Sequence, residues 1–511
     1  MICMKSYLKF KNGTMNFIFL MSFLFMLSCS DNSKATNNGN TISDKQSVAN
    51  ANAQKAAENA PVAKTTIDDP VFGGPADIEI KLEGAPNGQS LLIGFYAESH
   101  FKLDSSKIEN GNIRFTKEEG YPQGIYYVST PSNEFIQIVL GEDQKFKMST
   151  KVGSLVGSMK VTGSTENEIY YQTQQYENKF NAKFKIIKDE LSALQAGTAA
   201  YQQKDKEKKA FEAERMTYLN AIFKKNPQLL FTKFKQAGQN PIIRENATDA
   251  EKVYFYRKEF WDNVDFSDTR LMRTPVISNK LNRYIKELTP QNHDSITSAS
   301  NDLINQVLNY PEYFKLFTNW IAIQYEPTKC TLMDPEFVFV NLVQNYFTKE
   351  RAFWADSMEV YALQNRAMEM SQSVLGKKGP NVVSTAPDGT EKAIYDSKAD
   401  YIIVYLYNPT CEHCMIQTPL LVEWYNTWKD KGRDVYAIAI DTERDEWVKY
   451  VKEKNMNFTN VFDPTNRSIY AKYYVDITPE VYVLNKERTI IGKNLKVDQI
   501  NTIIDRDMAK R

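Results

Sequence analysis

The sequence predicts a multidomain protein with an N-terminal antiparallel β-sandwich, a central α-helical domain and a C-terminal α/β domain. The chain has 511 residues, which is more than one hydrophobic core usually covers. Its apolar residues change from alternation to helical spacing near residue 163, and after residue 373 strand-like and helix-like runs alternate. We therefore predict domains at 70–162, 163–372 and 373–511.

The charge balance excludes one class of partner. Lys plus Arg and Asp plus Glu number 63 each, so the chain has no overall basic field for a phosphate backbone. We therefore expect no nucleic-acid partner.

The N-terminus has the pattern of a signal peptide. Lys5, Lys9 and Lys11 precede the apolar run "FIFLMSFLFML" at 17–27. A bilayer-spanning helix needs about 20 residues, so this run is too short to cross a membrane. We predict that residues 1–28 are a signal peptide.

The residues Met26-Leu27-Ser28-Cys29 resemble a bacterial lipobox. That resemblance implies cleavage just before Cys29, lipidation of this cysteine, and a location in the cell envelope with Cys29 holding the protein to a membrane. An uncleaved anchor or ordinary secretion is the alternative. Residues 29–69 are rich in Asn, Ala, Ser and Lys, and this composition predicts a flexible tether.

In the two middle regions, the sequence patterns predict secondary structure rather than a reactive site. Runs such as "IEIKLEG" and "GIYYVST" alternate and are separated by turn residues, which predicts an antiparallel sandwich or barrel. Thr165 and Glu168 have the spacing of a capping box, and a long amphipathic helix should follow them. The stretch at 260–281 suggests packing and capping rather than a site.

The C-terminal region shows the order β-α-β-α-β-β-α. The apolar run "DYIIVYLY" at 400–407 predicts a buried strand, and "CEHC" at 411–414 follows it at the start of a predicted helix. "VYAIAI" at 435–440 predicts a second buried strand, and the last helix should cover 497–509.

The pair Cys411 and Cys414 fits thiol-disulfide chemistry. A thiolate is the nucleophile of disulfide exchange, and the N-terminus of a helix favours the thiolate of Cys411. His413 can add a positive charge or a donor, whereas Glu412 opposes the anion through a charge that solvent screens. We predict that Cys411 is the exposed nucleophile and Cys414 the resolving thiol.

This region resembles the thioredoxin superfamily, and more closely the TlpA/ResA-type thiol-disulfide oxidoreductases. The resemblance rests on CEHC after a buried strand, on Pro419 within the helix, and on Thr478-Pro479 in "VDITPEVYVL". It implies that Pro479 is cis and that the backbone of Thr478 offers hydrogen bonds to an extended substrate.

The whole layout resembles multidomain thioredoxin-like lipoproteins of the Bacteroidetes type. This implies partners of two kinds, disulfide-containing exported proteins and an upstream electron donor, with no cofactor and with exchange in the reducing direction. His413 favours the opposite direction, because stabilising the thiolate makes the couple more oxidising.

Two positions depart from the family pattern. Thioredoxins bury an acid six residues before the first cysteine, where this chain has Tyr405, and TlpA/ResA-type proteins often have Glu where it has Gln417. Neither position therefore provides a carboxylate that could accept the proton of the resolving thiol. Glu412 or a water could take that role.

Metal binding is the first alternative for this motif. Cys411, His413 and Cys414 are all ligand types, but a structural zinc needs four ligands. The other histidines, His100 and His293, belong to different predicted domains. We therefore predict no metal site.

Two further chemistries fail on residue identity, and one alternative stays open. Haem attachment would need His at Met415, and a peroxidase would need Thr at Asn408. The open alternative is a ligand- or protein-binding lipoprotein whose C-terminal module is structural or vestigial. Cys330 has no nearby partner in the sequence, so we expect a structural, inert thiol, with a regulatory thiol as the alternative.

Overall fold

The computed structural model describes residues 70–131, 134–465 and 472–510. The predicted signal peptide, the predicted lipidation site Cys29 and the predicted tether lie outside the described residues. Within the described ranges, no helix is both long enough and apolar enough to cross a membrane.

The β-rich N-terminal region contains two four-stranded sheets, with orders β4-β1-β7-β8 and β3-β2-β5-β6. Its strands are β1 (Ala76–Glu83), β2 (Gly88–Tyr96), β3 (Ser99–Ile108), β4 (Asn112–Lys117), β5 (Gly124–Ser129), β6 (Phe135–Leu140), β7 (Lys145–Lys151) and β8 (Lys160–Thr162). The sequence pattern missed β3, because this edge strand is mostly polar and pairs only with β2.

One strand pair contradicts the predicted antiparallel arrangement. β1 and β7 run parallel, in register from Asp77 opposite Lys145 to Glu83 opposite Lys151. Five strands separate β1 from β7 along the chain, so no short hairpin connection imposes opposite directions on them. Alternation reveals which face of a strand is buried, but it does not reveal the direction of its neighbour.

The central region is helical. Its helices are α1 (Thr165–Ser192), α2 (Ala199–Lys225), α3 (Leu230–Ala237), α4 (Asp249–Lys258), α5 (Pro275–Asn282), α6 (His293–Gln306), α7 (Pro311–Gln324), α8 (Pro335–Tyr346) and α9 (Ser357–Met370).

The long first helix is confirmed, but the residue that caps it differs from the prediction. Ser164 is the N-cap, and its side chain accepts from the N–H of Asn167 at 3.3 Å. Gly163 has φ +92°, a conformation that favours glycine, and its N–H donates to the Glu168 carboxylate. The predicted cap at Thr165 is therefore wrong by one residue.

The β-rich and helical regions share one hydrophobic core. Ile78 and Leu92 of the strands belong to the same buried cluster as Phe231, Leu303 and Val343 of the helices. The sequence shows a strand pattern followed by a helical pattern, but the side chains of both regions pack into one core.

The C-terminal α/β domain has one seven-stranded sheet, with the order β10-β9-β13-β12-β11-β14-β15. Its elements are β9 (Val383–Thr385), β10 (Glu391–Ala393), β11 (Tyr401–Tyr407), α10 (Glu412–Trp428), β12 (Arg433–Ala439), α11 (Arg444–Glu453), β13 (Thr459–Phe462), β14 (Glu480–Leu484), β15 (Ile490–Gly492) and α12 (Ile500–Met508). The predicted order missed β13, whose four residues are too few to show a period.

Each face of this sheet has its own hydrophobic core. Tyr405 and Cys414 belong to one buried cluster, and Leu406 and Tyr482 belong to the other. Because side chains alternate along a strand, neighbours on β11 point to opposite cores. The buried Cys414 therefore packs on only one face of the sheet.

Candidate active site

The dithiol lies where β11 ends and α10 begins, with Cys411 as the N-cap of the helix. Asn408 fixes the connection between them. Its Oδ1 accepts from the N–H and hydroxyl of Thr410 at 2.7 and 2.6 Å, and its Nδ2 donates to the carbonyl of Asp441. This Asx-type turn places Cys411 before the unpaired N–H groups of the helix.

The predicted substrate loop faces the first cysteine. The Thr478-Pro479 peptide bond is cis, and the Cys411 Sγ lies 3.2 Å from the Thr478 carbonyl oxygen, to which the neutral thiol donates. Cys411 is half-buried, whereas Cys414 has no exposed surface. Access to a substrate therefore differs between the two thiols.

The pKa of Cys411 is lowered from its usual value. Partial burial raises the pKa, but hydrogen bonds from the Thr478 side chain, from the N–H of Cys414, from the Cys414 thiol and from the N–H of His413 together lower it by more. These donors stabilise the anion at the start of the helix, so Cys411 is the thiol that ionises first.

The pKa of Cys414 moves in the opposite direction. Burial, opposed only in part by the Asn408 N–H, raises this pKa to about 12, and the hydrogen bond and charge of Cys411 add to the increase. Cys414 is therefore a neutral thiol near pH 7.

A network of hydroxyl groups lies beneath Cys414 instead of a carboxylate. The Tyr405 hydroxyl and the Thr418 Oγ1 are 2.9 Å apart, and Tyr450 donates to Thr418 at 3.0 Å and to the Cys414 carbonyl at 3.4 Å. Burial raises the pKa of Tyr405 far above its usual range, so this phenol does not act as a base. The sequence identified Tyr405 but gave no signal for Thr418 or Tyr450.

These pKa shifts make a prediction for alkylation. At pH 7 iodoacetamide should label Cys411 at least about a hundredfold faster than Cys414, because only the thiolate reacts. Cys330 is the internal control, since burial raises its pKa as well. Peptide mapping after brief labelling measures the three rates, and preferential labelling of Cys414 would reverse the assignment.

Comparison with known proteins agrees with this geometry. Residues 375–493 match the AhpC/TSA family model. The ResA thiol-disulfide oxidoreductase of Bacillus thuringiensis subsp. konkukian (strain 97-27) is 26% identical over 170 residues, which are 33% of this chain and 85% of that protein. The C-terminal domain is a thioredoxin-like domain of the thiol-disulfide oxidoreductase type.

The thioredoxin-like domain has other relatives of the same kind. ResA of Bacillus subtilis (strain 168) is 25% identical over 138 residues, covering 27% of this chain and 74% of that protein. Residues 77–170 and 194–366, outside this domain, match two domains of unknown function, DUF4369 and DUF5106.

Two solved structures are similar to parts of the chain. A thioredoxin-like protein from Bacteroides caccae ATCC 43185 has 21% identity and a TM-score of 0.44, covering 52% of this chain and 98% of that one. A domain of a possible thiol-disulfide isomerase from Cytophaga hutchinsonii ATCC 33406 has 32% identity and a TM-score of 0.26, covering 27% and 97% respectively.

The residues predicted to tune the thiolate lie at the surface of the thioredoxin-like domain. The side chains of Glu412 and His413 are exposed, and His413 lowers the pKa of Cys411 through its backbone N–H. His413 was predicted to add a positive charge or a donor; the donor found is its backbone N–H, and the effect of a charge on its side chain stays a prediction. Any residue at position 413 except proline supplies the same N–H.

Gln417, one of the two departures from the family pattern, has a structural role. The Oε1 of Gln417 accepts from the N–H of Val497 at 3.0 Å and so connects α10 to the segment before the last helix. The buried acid Glu480 directly follows Pro479. It pairs with Leu406, whose side chain faces the core opposite Cys414. Glu480 therefore does not replace the missing carboxylate.

Exposed apolar side chains lie on both segments that form the dithiol site. Met415, Ile416 and Leu420 are exposed on α10, and Ile477 is exposed beside Thr478. Pro419 lies inside α10, as the family pattern implies. This surface suits an apolar segment better than a charged one.

The other candidate ligands lie apart from the dithiol. His100 packs against Phe95 and His293 against Phe337. Over the described ranges, no group of three or more His, Cys, Asp or Glu side chains is arranged to hold a metal ion. Cys330 packs against the shared core of the first two regions.

Proposed function

We propose that this protein is an envelope-anchored thiol-disulfide oxidoreductase that exchanges disulfides with exported proteins through its CEHC dithiol, in the reducing direction. The observation that carries the proposal is the position of the half-buried Cys411 thiol at a helix N-terminus, 3.2 Å from the carbonyl of Thr478. Cys414 lies buried one helical turn further on.

The proposed disulfide exchange has two steps. The Cys411 thiolate attacks a substrate disulfide, forms a mixed disulfide and releases one substrate thiolate, which takes up a proton. Cys414 then loses its proton and attacks the Cys411 sulfur. The second substrate thiolate leaves and is protonated, and the protein retains the Cys411–Cys414 disulfide. Two electrons pass to the substrate, and a dithiol donor must restore the protein.

The surface around Cys411 supports an extended, partly apolar substrate. The backbone of Thr478 offers an edge for hydrogen bonding, and two side chains that are each 62% exposed, Ile416 on α10 and Ile477 next to Thr478, lie on the segments that carry the site. Unfolded segments of exported proteins present both features, a free backbone and apolar side chains.

The N-terminal sequence supports a place of action outside the cytoplasm. A lipidated Cys29 would hold the protein outside the cytoplasm, where disulfides persist. We propose membrane attachment through this residue and an upstream dithiol donor in the same compartment. The reducing direction rests on the similarity to ResA-type proteins.

A trapping experiment tests the exchange reaction. Cys414→Ser should accumulate mixed disulfides in the cell envelope, because the second step loses its nucleophile. Non-reducing electrophoresis followed by mass spectrometry identifies the adducts. Cys411→Ser with Cys414→Ser is the matched control, and it should trap nothing. If Cys414→Ser forms no adducts, whether or not Cys330 is also replaced, the proposal is wrong.

One observation favours the alternative of a binding protein. A cavity of about 710 Å³ lies between the β-rich and helical regions, and Tyr96, Phe266, Arg270 and Arg273 are among its lining residues. Cavities of this size hold small molecules. Insulin reduction by the full chain distinguishes the two functions, because a binding protein with a vestigial dithiol would not exceed free dithiothreitol.

A further inference from the structure

We infer that the central helical region positions the Thr478-Pro479 loop of the thioredoxin-like domain, with Arg366 as the main positioning residue, and so strengthens the binding of protein disulfides. This inference rests on the proposed function. It gives a role in the reaction to a region that contains neither cysteine of the dithiol.

Arg366, on α9 of the helical region, reaches the loop directly. Its Nη2 lies 3.1 Å from the Asp476 carboxylate, and its Nε donates to the Tyr474 hydroxyl at 3.0 Å. The same Nη2 binds the Glu326 carboxylate at 2.5 Å, and the guanidinium lies over the ring of Phe339. The planar fork of arginine serves these partners together, as the single ammonium of lysine does not.

Tyr474 is held by its backbone as well as by its hydroxyl. Its N–H donates to the Oγ of Ser373 at 3.2 Å, and its carbonyl accepts from the Tyr482 hydroxyl at 3.0 Å. Its ring packs against the core shared by the β-rich and helical regions. The chain leading to Thr478 is therefore attached to the helical region through the hydroxyl and ring of Tyr474, while the Tyr474 backbone is held from within residues 373–511.

The chain that leaves the loop also meets the helical region. Glu480 accepts from the backbone N–H of Asn494 at 2.9 Å, and the Asn494 side chain donates to Glu336 of α8 at 3.1 Å. Lys493 lies 3.2 Å from the Glu336 carboxylate and 3.8 Å from that of Asp334. The helical region thus contacts the Asp476 end of the loop directly and the Glu480 end through Asn494.

Only residues 477–479 separate these two attachments. A short segment fixed at both ends has lost most of its conformational freedom before a substrate arrives. Less ordering entropy is then lost on binding, which strengthens affinity. Loosening the Asp476 end should weaken docking of an extended substrate. The Cys411 thiolate could lose the hydrogen bond of the Thr478 side chain, but it keeps the N–H groups of His413 and Cys414, which do not belong to this loop.

The test compares Arg366→Met with Arg351→Met in the full chain. Arg351 also lies in the helical region, donates to the carbonyl of Asn345 and contacts Tyr346, without touching the loop. With insulin as the probe, Arg366→Met should raise KM about tenfold, as expected for the loss of hydrogen bonds between charged groups, and should change kcat less than about twofold. Arg351→Met should leave both unchanged.

A small disulfide separates positioning from general damage. 5,5′-Dithiobis(2-nitrobenzoate) has no peptide backbone to dock on Thr478, so the rate of its reaction with Cys411 should change far less in Arg366→Met than the KM for insulin does. A misfolded variant would instead expose the Cys330 thiol more fully, and the reagent would then release extra thiolate from it. Arg366→Lys retains a charge near Asp476 and should recover part of the loss.

Asp476→Asn changes the loop side of the same contact and should also raise KM for insulin. The double variant should be no worse than Arg366→Met alone, because the two substitutions remove one interaction. If Arg366→Met does not fold, the KM of Asp476→Asn for insulin tests the positioning role instead. A wild-type chain that fails to reduce insulin contradicts the proposed function. A wild type that does so, with Asp476→Asn unchanged in KM, overturns the positioning role alone.

Discussion

The release of product from the Cys411 mixed disulfide should accelerate about tenfold for each pH unit between about pH 6 and pH 9, because the attacking thiolate fraction rises tenfold per unit below its pKa. Burial raises the pKa of Cys414 to about 12. We expect the same burial when Cys411 is bonded to a substrate. The adjacent hydroxyls of Tyr405, Thr418 and Tyr450 offer no carboxylate to take the proton.

A model reaction allows the attack by Cys411 and the resolution by Cys414 to be measured separately. 5,5′-Dithiobis(2-nitrobenzoate) releases one coloured thiolate when Cys411 attacks and a second when Cys414 resolves the mixed disulfide. The first rate should level off above the lowered pKa of Cys411, whereas the second should keep rising. Cys414→Ser should give the first release only. A second rate that is flat above pH 7 would mean that another group accepts the proton.

The second large effect concerns stability. Lys493→Met should lower the free energy of unfolding by about 3–5 kcal/mol at pH 8, because removal of one partner leaves buried charges uncompensated. The Lys493 side chain is fully buried between the carboxylates of Asp334 and Glu336. Urea denaturation of the full chain measures the loss, and Lys452→Met, at an exposed position of α11, is the matched control.

The same cluster predicts how the loss depends on pH. Burial, opposed by Lys493, raises the pKa of Glu480 to about 8, and burial also raises the pKa of Asp334. A carboxyl group with a raised pKa binds protons more tightly in the folded state, so its contribution to stability falls as pH rises from about 4 to 8. Lys493→Met should therefore cost less at pH 5 than at pH 8. An equal loss at both would show that these carboxyls do not titrate in this range.

The site could be predicted from the sequence where its residues are close together in the chain. Cys411, Cys414 and Pro419 lie on one helix, and the strand before them is a continuous apolar run. Thr478-Pro479 is distant in sequence, but the family pattern supplied it. Local periodicity and a short motif were sufficient for this half of the site.

The remaining contacts depend on pairs that no local pattern connects. Arg366 and Asp476 are 110 residues apart, and each looks like an ordinary surface charge in its own segment. Lys493 ends a short strand-like run, yet its side chain has no exposed surface. Burial of a charge is decided by the partner that packs against it. The parallel pairing of β1 with β7 escaped prediction for a similar reason, since strand direction depends on the path of the intervening chain.

The core shared by the β-rich and helical regions affects how such a chain can be assembled by gene fusion. Each face of the thioredoxin-like sheet is covered mainly by the domain's own residues, so joining it to new neighbours disturbs little beyond the contacts of Lys493, Asp476 and Tyr474 with the helical region. The first two regions cannot be separated in this way, because a cut between them would expose buried residues on both sides. We therefore expect these two regions to be inherited as one unit, to which the redox module is attached.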